Sequence, residues 1–150
     1  MKTKYLAEVG VRYVPTNSII PNGVATTSIS VANYMRDNMY DKELLEYQER
    51  FVVLMLNRRN AIIGYHTLSV GGQTGTVADV RILFAVALKC GATSIIISHN
   101  HPSGNTKPSD TDIRLTNNIS RIGDIMEIKV LDHIIITKES HYSFADEGKI

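Results

Sequence analysis

Ser98-His-Asn-His-Pro-Ser-Gly-Asn-Thr-Lys-Pro-Ser-Asp-Thr-Asp112 is the stretch on which the reading of this 150-residue chain turns. It follows the apolar run Thr93-Ser-Ile-Ile-Ile-Ser98, and a continuous apolar run predicts a short strand covered on both faces. Residues two apart at a strand end point the same way, so His99 and His101 project to one side of the sheet edge. Pro102 forbids continued ladder pairing and Ser103-Gly104 turns the chain. Ser109 then opens a helix predicted to run to about Gly123, with Asp112 in its first turn, where its carboxylate can come back to the two imidazoles. Two neutral imidazoles and one carboxylate form a catalytic zinc set, because three protein ligands leave a fourth position for water. An ion there lowers the pKa of that water towards about 7 and polarises a substrate carbonyl. Taken singly, the pieces have plainer readings: Ser109-x-x-Asp112 has the form of a capping box, and His-x-His beside a turn fits two exposed polar residues. It is the combination that points to a metal.

Outward from this segment the chain alternates strands and helices. Residues 5–14 are rich in β-branched and aromatic side chains and predict a strand, ended by Pro15 and Pro21-Asn-Gly. From Ser28, the spacing of Ile29, Val31, Ala32, Met35 and Met39 is helical, with Ser28 or Ser30 as N-cap. Two apolar runs, 49–56 and 61–70, flank Asn57-Arg-Arg-Asn60 and predict a β-hairpin. After the loop Gly71-Gly-Gln-Thr-Gly75, Asp79 caps a helix to about Lys89 that places Ile82, Leu83, Val86, Ala87 and Cys90 on one side, and Gly91 stops it. Glu127–Thr137 predicts a long strand and His141–Ala145 a short one. Helices between strands imply an α/β sandwich, a mixed sheet with helices packed on it, in a single domain over 1–150.

Composition narrows the function classes. With 43% hydrophobic residues the chain is not a disordered segment. Sixteen Lys and Arg against fifteen Asp and Glu leave +1, so strong electrostatic binding to DNA is not expected. The single cysteine, Cys90, excludes an internal disulfide and reads as a buried thiol rather than a nucleophile. No apolar run is long enough for a membrane span, and the N-terminus lacks a signal segment, so a cytoplasmic setting is expected.

His99-x-His101, seven residues, then Ser109-x-x-Asp112 matches the JAMM (MPN+) metalloprotease motif position by position. The fuller string His99-Asn-His101-Pro-Ser-Gly104 is similar to the RadC branch of that superfamily, as are Val130-Leu-Asp-His133, Tyr142-Ser-Phe-Ala-Asp-Glu-Gly148 and the Gly71-to-Ala87 segment. The resemblance covers roughly 45–150. It implies a JAMM/MPN-type, cytidine deaminase-like α/β fold and one Zn2+ per chain, held by His99, His101 and Asp112. It also implies a glutamate general base just before an apolar strand, the place of Glu49, with Glu46 one helical turn earlier as the alternative. Ser109 resembles the serine that steadies the oxyanion, a task compatible with capping. The helix-hairpin-helix module often found ahead of this domain in RadC proteins is not expected in this sequence.

The resemblance thus implies a zinc metallopeptidase or isopeptidase whose peptide or protein substrate the residues do not identify. The alternative is a non-catalytic zinc module in DNA repair or recombination, recruited by partners; a nuclease fits less well, since one metal site stands without clustered carboxylates. Self-association is open through pairing of the apolar N-terminal strand along a sheet edge. Weaker candidates are His66, read as a surface or packing residue, and His141, read as exposed. Asp132 and His133 read either as a support for a liganding histidine or as a satisfied polar pair in the core. Arg58-Arg59 reads as solvated turn charges. The Gly71–Gly75 loop resembles a phosphate cradle only loosely, because no Lys-Ser/Thr follows it.

Overall fold

A computed structural model describes residues 26–72 and 77–150. The strand predicted over 5–14 and part of the Gly71–Gly75 loop lie outside the described residues. Three helices, α1 (Ser28–Asn38), α2 (Val80–Lys89) and α3 (Asp110–Ile125), accompany five strands. The strands are β1 (Arg50–Leu56), β2 (Ile62–Val70), β3 (Ser94–Asn100), β4 (Lys129–Ile136) and β5 (His141–Ser143). They form one mixed sheet in the order β2-β1-β3-β4-β5. The predicted hairpin is present as the antiparallel pair β1–β2, and β1 is also antiparallel to β3. β3 and β4 are parallel, joined through α3, and β5 closes the far edge antiparallel to β4.

Strand alternation divides the core into two layers. Val52, Leu54 and Leu56 of β1, Ile96 of β3, and Ile134 and Ile136 of β4 pack with Val31, Ala32 and Met35 of α1. Phe51, Val53 and Met55 of β1, with Ile95 and Ile97 of β3, pack on the other face against Leu83, Phe84 and Ala87 of α2 and Ile119 of α3. The sheet is therefore sandwiched by helices, and β3 is buried along its whole length, as its continuous apolar run predicts.

Local signals are corrected in five places. The N-cap of α1 is Thr27, whose hydroxyl accepts from the Ser30 N–H; Ser30 is the third helical residue and returns the bond from its own side chain. In α2, capped by Asp79 as predicted, Ile82 is 46% exposed and Phe84 takes its place in the core. Glu127 adopts φ 55° and stands outside β4, while α3 continues two residues past Gly123. His141 is half-buried in β5 rather than exposed. Cys90 is half-buried with its Sγ 3.4 Å from the Met55 Sδ, and burial pushes its thiol pKa up, which suits packing and not nucleophilic attack.

Helix α3 reaches β4 because Gly123 has no side chain. A Cβ at this position would lie 2.5 Å from the Ile128 carbonyl oxygen and 3.2 Å from Val130 Cγ2. Gly123→Ala is expected to destabilise the protein by about 1–3 kcal/mol, outweighing the helix-propensity gain of up to about 1 kcal/mol. Urea unfolding checks this: an unchanged or raised midpoint refutes the close contact.

Candidate metal centre

The carboxyl end of β3, beside the start of its crossover helix, is where open α/β sheets place their ligands. His99 is in β3 and stacks on Phe51 of β1 with ring centroids 5.9 Å apart. His101 follows the strand, its N–H bonded to the Ile136 carbonyl at 3.0 Å. The turn after it closes through Gly104 N–H to the His101 carbonyl, with Gly104 at φ 81°, a conformation that glycine takes without strain. Ser109 caps α3 with its Oγ accepting from Asp112 N–H at 3.1 Å, while its own N–H donates to Asp112 Oδ2 at 2.7 Å. This box fixes the Asp112 side chain at the top of α3.

The three predicted ligands converge. One donor atom from each of His99, His101 and Asp112 lies within 4.8 Å of the others. His99 Nε2 is 2.9 Å from His101 Nε2 and 3.2 Å from Asp112 Oδ1, and His101 Nε2 is 3.5 Å from Asp112 Oδ2. His99 is 1% exposed, whereas His101 and Asp112 keep 17% and 14%, so the centre opens on their side.

Hydrogen bonding fixes which nitrogen of each ring carries the proton. A carbonyl only accepts, so the Thr116 hydroxyl donates to the Asp112 carbonyl, at 2.6 Å. Thr116 Oγ1 therefore accepts from His133 Nδ1 at 2.6 Å, and His133 Nε2 accepts from His99 Nδ1 at 2.8 Å. His99 is left with an Nε2 lone pair aimed at the centre. His101 reaches the same state by donating from Nδ1 to the Asn105 carbonyl at 2.7 Å. Two imidazole lone pairs and a carboxylate at these separations repel one another unless a cation, proton or metal, sits among them. The donor set thus fits a divalent ion bound through nitrogen and oxygen, with outer hydrogen bonds that orient each imidazole.

The charges agree. The hydrogen bond to Asp112 raises the His101 pKa against the opposing effect of burial, with smaller contributions from the Asn105 carbonyl and the charges of Asp112 and Glu49. Burial pushes the Asp112 carboxyl up, but whenever the facing imidazoles carry a proton on Nε2 their hydrogen bonds, His101 first and then His99, outweigh it and hold it far below the usual carboxylate range. His133, fully buried and stacked on Phe144 with centroids 4.8 Å apart, is held well below its ordinary value by that burial, and further by the neighbouring histidines.

Both alternatives for Val130-Leu-Asp-His133 are realised, one per residue. His133 supports His99. Asp132 faces the opposite layer as a satisfied core carboxylate, accepting from Ser143 Oγ at 2.6 Å and Ala145 N–H at 3.0 Å. Glu49 directly precedes β1, whose Phe51 pairs in register with His99, so it stands at the same sheet end as the ligands. Glu46 is 59% exposed and ion-paired to Lys138 at 3.1 Å. His66 and Arg58-Arg59 are exposed on the hairpin, away from the ligand cluster, and the loop position of the two arginines is as expected. Sequence alone does not single out Thr116 and Asn100. Thr116 lies four residues after Asp112, one helical turn on, which is the signal that could have found it.

Among the described residues no helix is long and apolar enough to cross a membrane. The family model for the RadC-like JAB domain matches residues 25–149. A UPF0758 protein of Flavobacterium johnsoniae is 49% identical over 100 residues, covering 67% of this chain and 44% of the relative. One from Staphylococcus haemolyticus is 38% identical over 123 residues, 82% of this chain and 52% of the relative. The chain spans about half the length of these curated relatives. With the match covering the whole described sheet and the ligand cluster, the chain belongs to the RadC-like JAB domain family.

Proposed function

We propose that this domain is a zinc-dependent hydrolase of the JAMM type that cleaves an amide or isopeptide bond in a peptide or protein. The observation that carries the reading is the convergence of two imidazole Nε2 lone pairs and one carboxylate, each oriented by its own hydrogen bond, at an accessible sheet end. His99, His101 and Asp112 would hold the ion, and the absence of thiolate from the set favours a catalytic over a structural zinc. Bound zinc supplies Lewis acidity, making water a nucleophile at neutral pH and polarising the scissile carbonyl. Glu49 takes a proton from the attacking water and returns it to the leaving amine. The Ser109 Oγ accepts from the Asp112 N–H, and its own hydroxyl hydrogen serves to steady the developing oxyanion. Glu49 is favoured over Glu46 as the base because it adjoins the strand end paired with His99 and its charge acts on His101.

Metal analysis of freshly purified protein is expected to give one zinc per chain, lost in the His99→Ala/His101→Ala double variant. Hydrolysis of a panel of fluorogenic peptide and isopeptide substrates is expected to fall about 100-fold or more in Glu49→Gln, within the range attributed to general acid–base catalysis. Wild type without zinc overturns the metal assignment. Full zinc with Glu49→Gln as active as wild type overturns the hydrolase and leaves a non-catalytic zinc module.

A further inference from the structure

Strand β3 presents the histidines on one face and another pair of polar side chains on the other. Ser98 and Asn100 point into the α1 layer and are completely buried. The Asn100 carboxamide is used in full on the segment leading into β1. Its Nδ2 donates to the carbonyls of Leu45 at 2.8 Å and Gln48 at 2.9 Å, and its Oδ1 accepts from the Arg50 N–H at 2.8 Å. Gln48 and Arg50 are the residues on either side of Glu49. Ser98 holds the start of the same connection, through a 2.8 Å hydrogen bond between its Oγ and the Tyr40 hydroxyl.

We propose that Asn100 is a positioning residue that sets the placement of the Glu49 carboxylate against the ligand cluster, by tying the backbone on both sides of Glu49 to the strand that bears His99. The inference rests on reading Glu49 as the base. An apolar side chain at position 100 would fill the volume but leave two carbonyls and one N–H of the 45–50 segment without their partner, so that this segment would be tied in only from Phe51 onward and by the Glu49 backbone bonds to Gly71 and Gly72. A displacement of about 1 Å in a reacting group is enough to cost about 100-fold in rate, so a carboxamide bridging two residues around a base has a direct chemical consequence. The Nδ1 atoms of the ligand imidazoles bond to His133 and Asn105, whereas the Asn100 side chain bonds to Leu45, Gln48 and Arg50.

The test uses the full chain loaded with cobalt(II), whose visible absorption follows the groups around the metal and needs no substrate. Glu49→Gln is expected to shift the pH midpoint of the cobalt spectrum. Asn100→Ala is expected to shift it in the same direction by at least half as much, with cobalt still bound. The double variant should move no further than Glu49→Gln alone, since both changes act through one carboxylate. Ser98→Ala, which frees only the Tyr40 end, should keep the wild-type midpoint. If Asn100→Ala does not fold, Asn100→Ser, which keeps a hydroxyl in reach of the segment, is read in the same way. A wild-type midpoint in the Asn100 variant while Glu49→Gln shifts, or additive shifts in the double variant, overturns the positioning role alone. No shift in Glu49→Gln overturns the base assignment and the positioning role with it.

Discussion

His133→Ala is expected to cost the fold about 3–5 kcal/mol, the range for emptying a packed aromatic-sized site and stranding buried polar groups. The imidazole is 0% exposed, lies against Phe144 and Phe51, and makes a hydrogen bond at each nitrogen. His133→Phe separates the two contributions by keeping a ring in the stack while leaving the His99 Nδ1–H without an acceptor. It should cost less than alanine, while still weakening zinc binding by about 10–100-fold, as loss of an imidazole's orienting bond does. A pH dependence accompanies this. The folded His133 titrates well below its ordinary 6.5, so the stability it leaves intact above that value is lost as pH falls below it. There the unfolded chain binds a proton that the folded site refuses, at up to about 1.4 kcal/mol per pH unit. In chelator, the acid side of the stability curve should be shallower for His133→Phe than for wild type. Equal slopes, or an alanine variant as stable as wild type, would refute the buried relay.

Asp112→Asn is expected to abolish metal binding while sparing the helix. The carboxylate supplies the only negative charge among the three donors, yet it also accepts the Ser109 N–H at the head of α3. An asparagine oxygen can still accept that bond, so stability without metal should change by less than about 1 kcal/mol, the typical worth of a cap. Zinc affinity should fall by more than the roughly 10–100-fold seen when only an outer partner is lost. Zinc at about 100 times its Kd should therefore stabilise wild type by about 2.7 kcal/mol and leave the variant where it is. Calorimetric titration and thermal unfolding read both quantities. Stoichiometric zinc in Asp112→Asn would remove the carboxylate from the ligand set.

Much of this architecture is legible locally. The apolar run before His99, the Pro102 and Gly104 break, and Ser109 three residues ahead of Asp112 act through neighbours in sequence, so strand, turn, cap and ligand convergence follow from one short segment. What depends on pairing between distant strands is not legible. β3 and β4 shift register between Ile95 and Ile96, where Val130 pairs with Ile95 but Asp132 with Ile96. That single extra residue, Leu131, reverses the alternation and turns His133, not Asp132, to the face of His99. Nothing in Val130-Leu-Asp-His133 alone announces it. The buried side of α2 is set likewise by the strands it crosses, which is why Phe84 rather than Ile82 enters the core. The role of Asn100 is not legible because its partners lie some fifty residues earlier, and they are backbone groups, which leave no mark in a sequence.

The position of the one thiol has a consequence for how the protein meets oxidants. Cys90 and Met55 place their sulfurs side by side in the α2 layer, while the candidate donor set consists of imidazole and carboxylate groups. Sulfur oxidation would add polar oxygens to a packed interior and loosen it, but it has no thiolate ligand to attack. An ion bound at this donor set would thereby be insulated from sulfur oxidation at the level of the donor atoms.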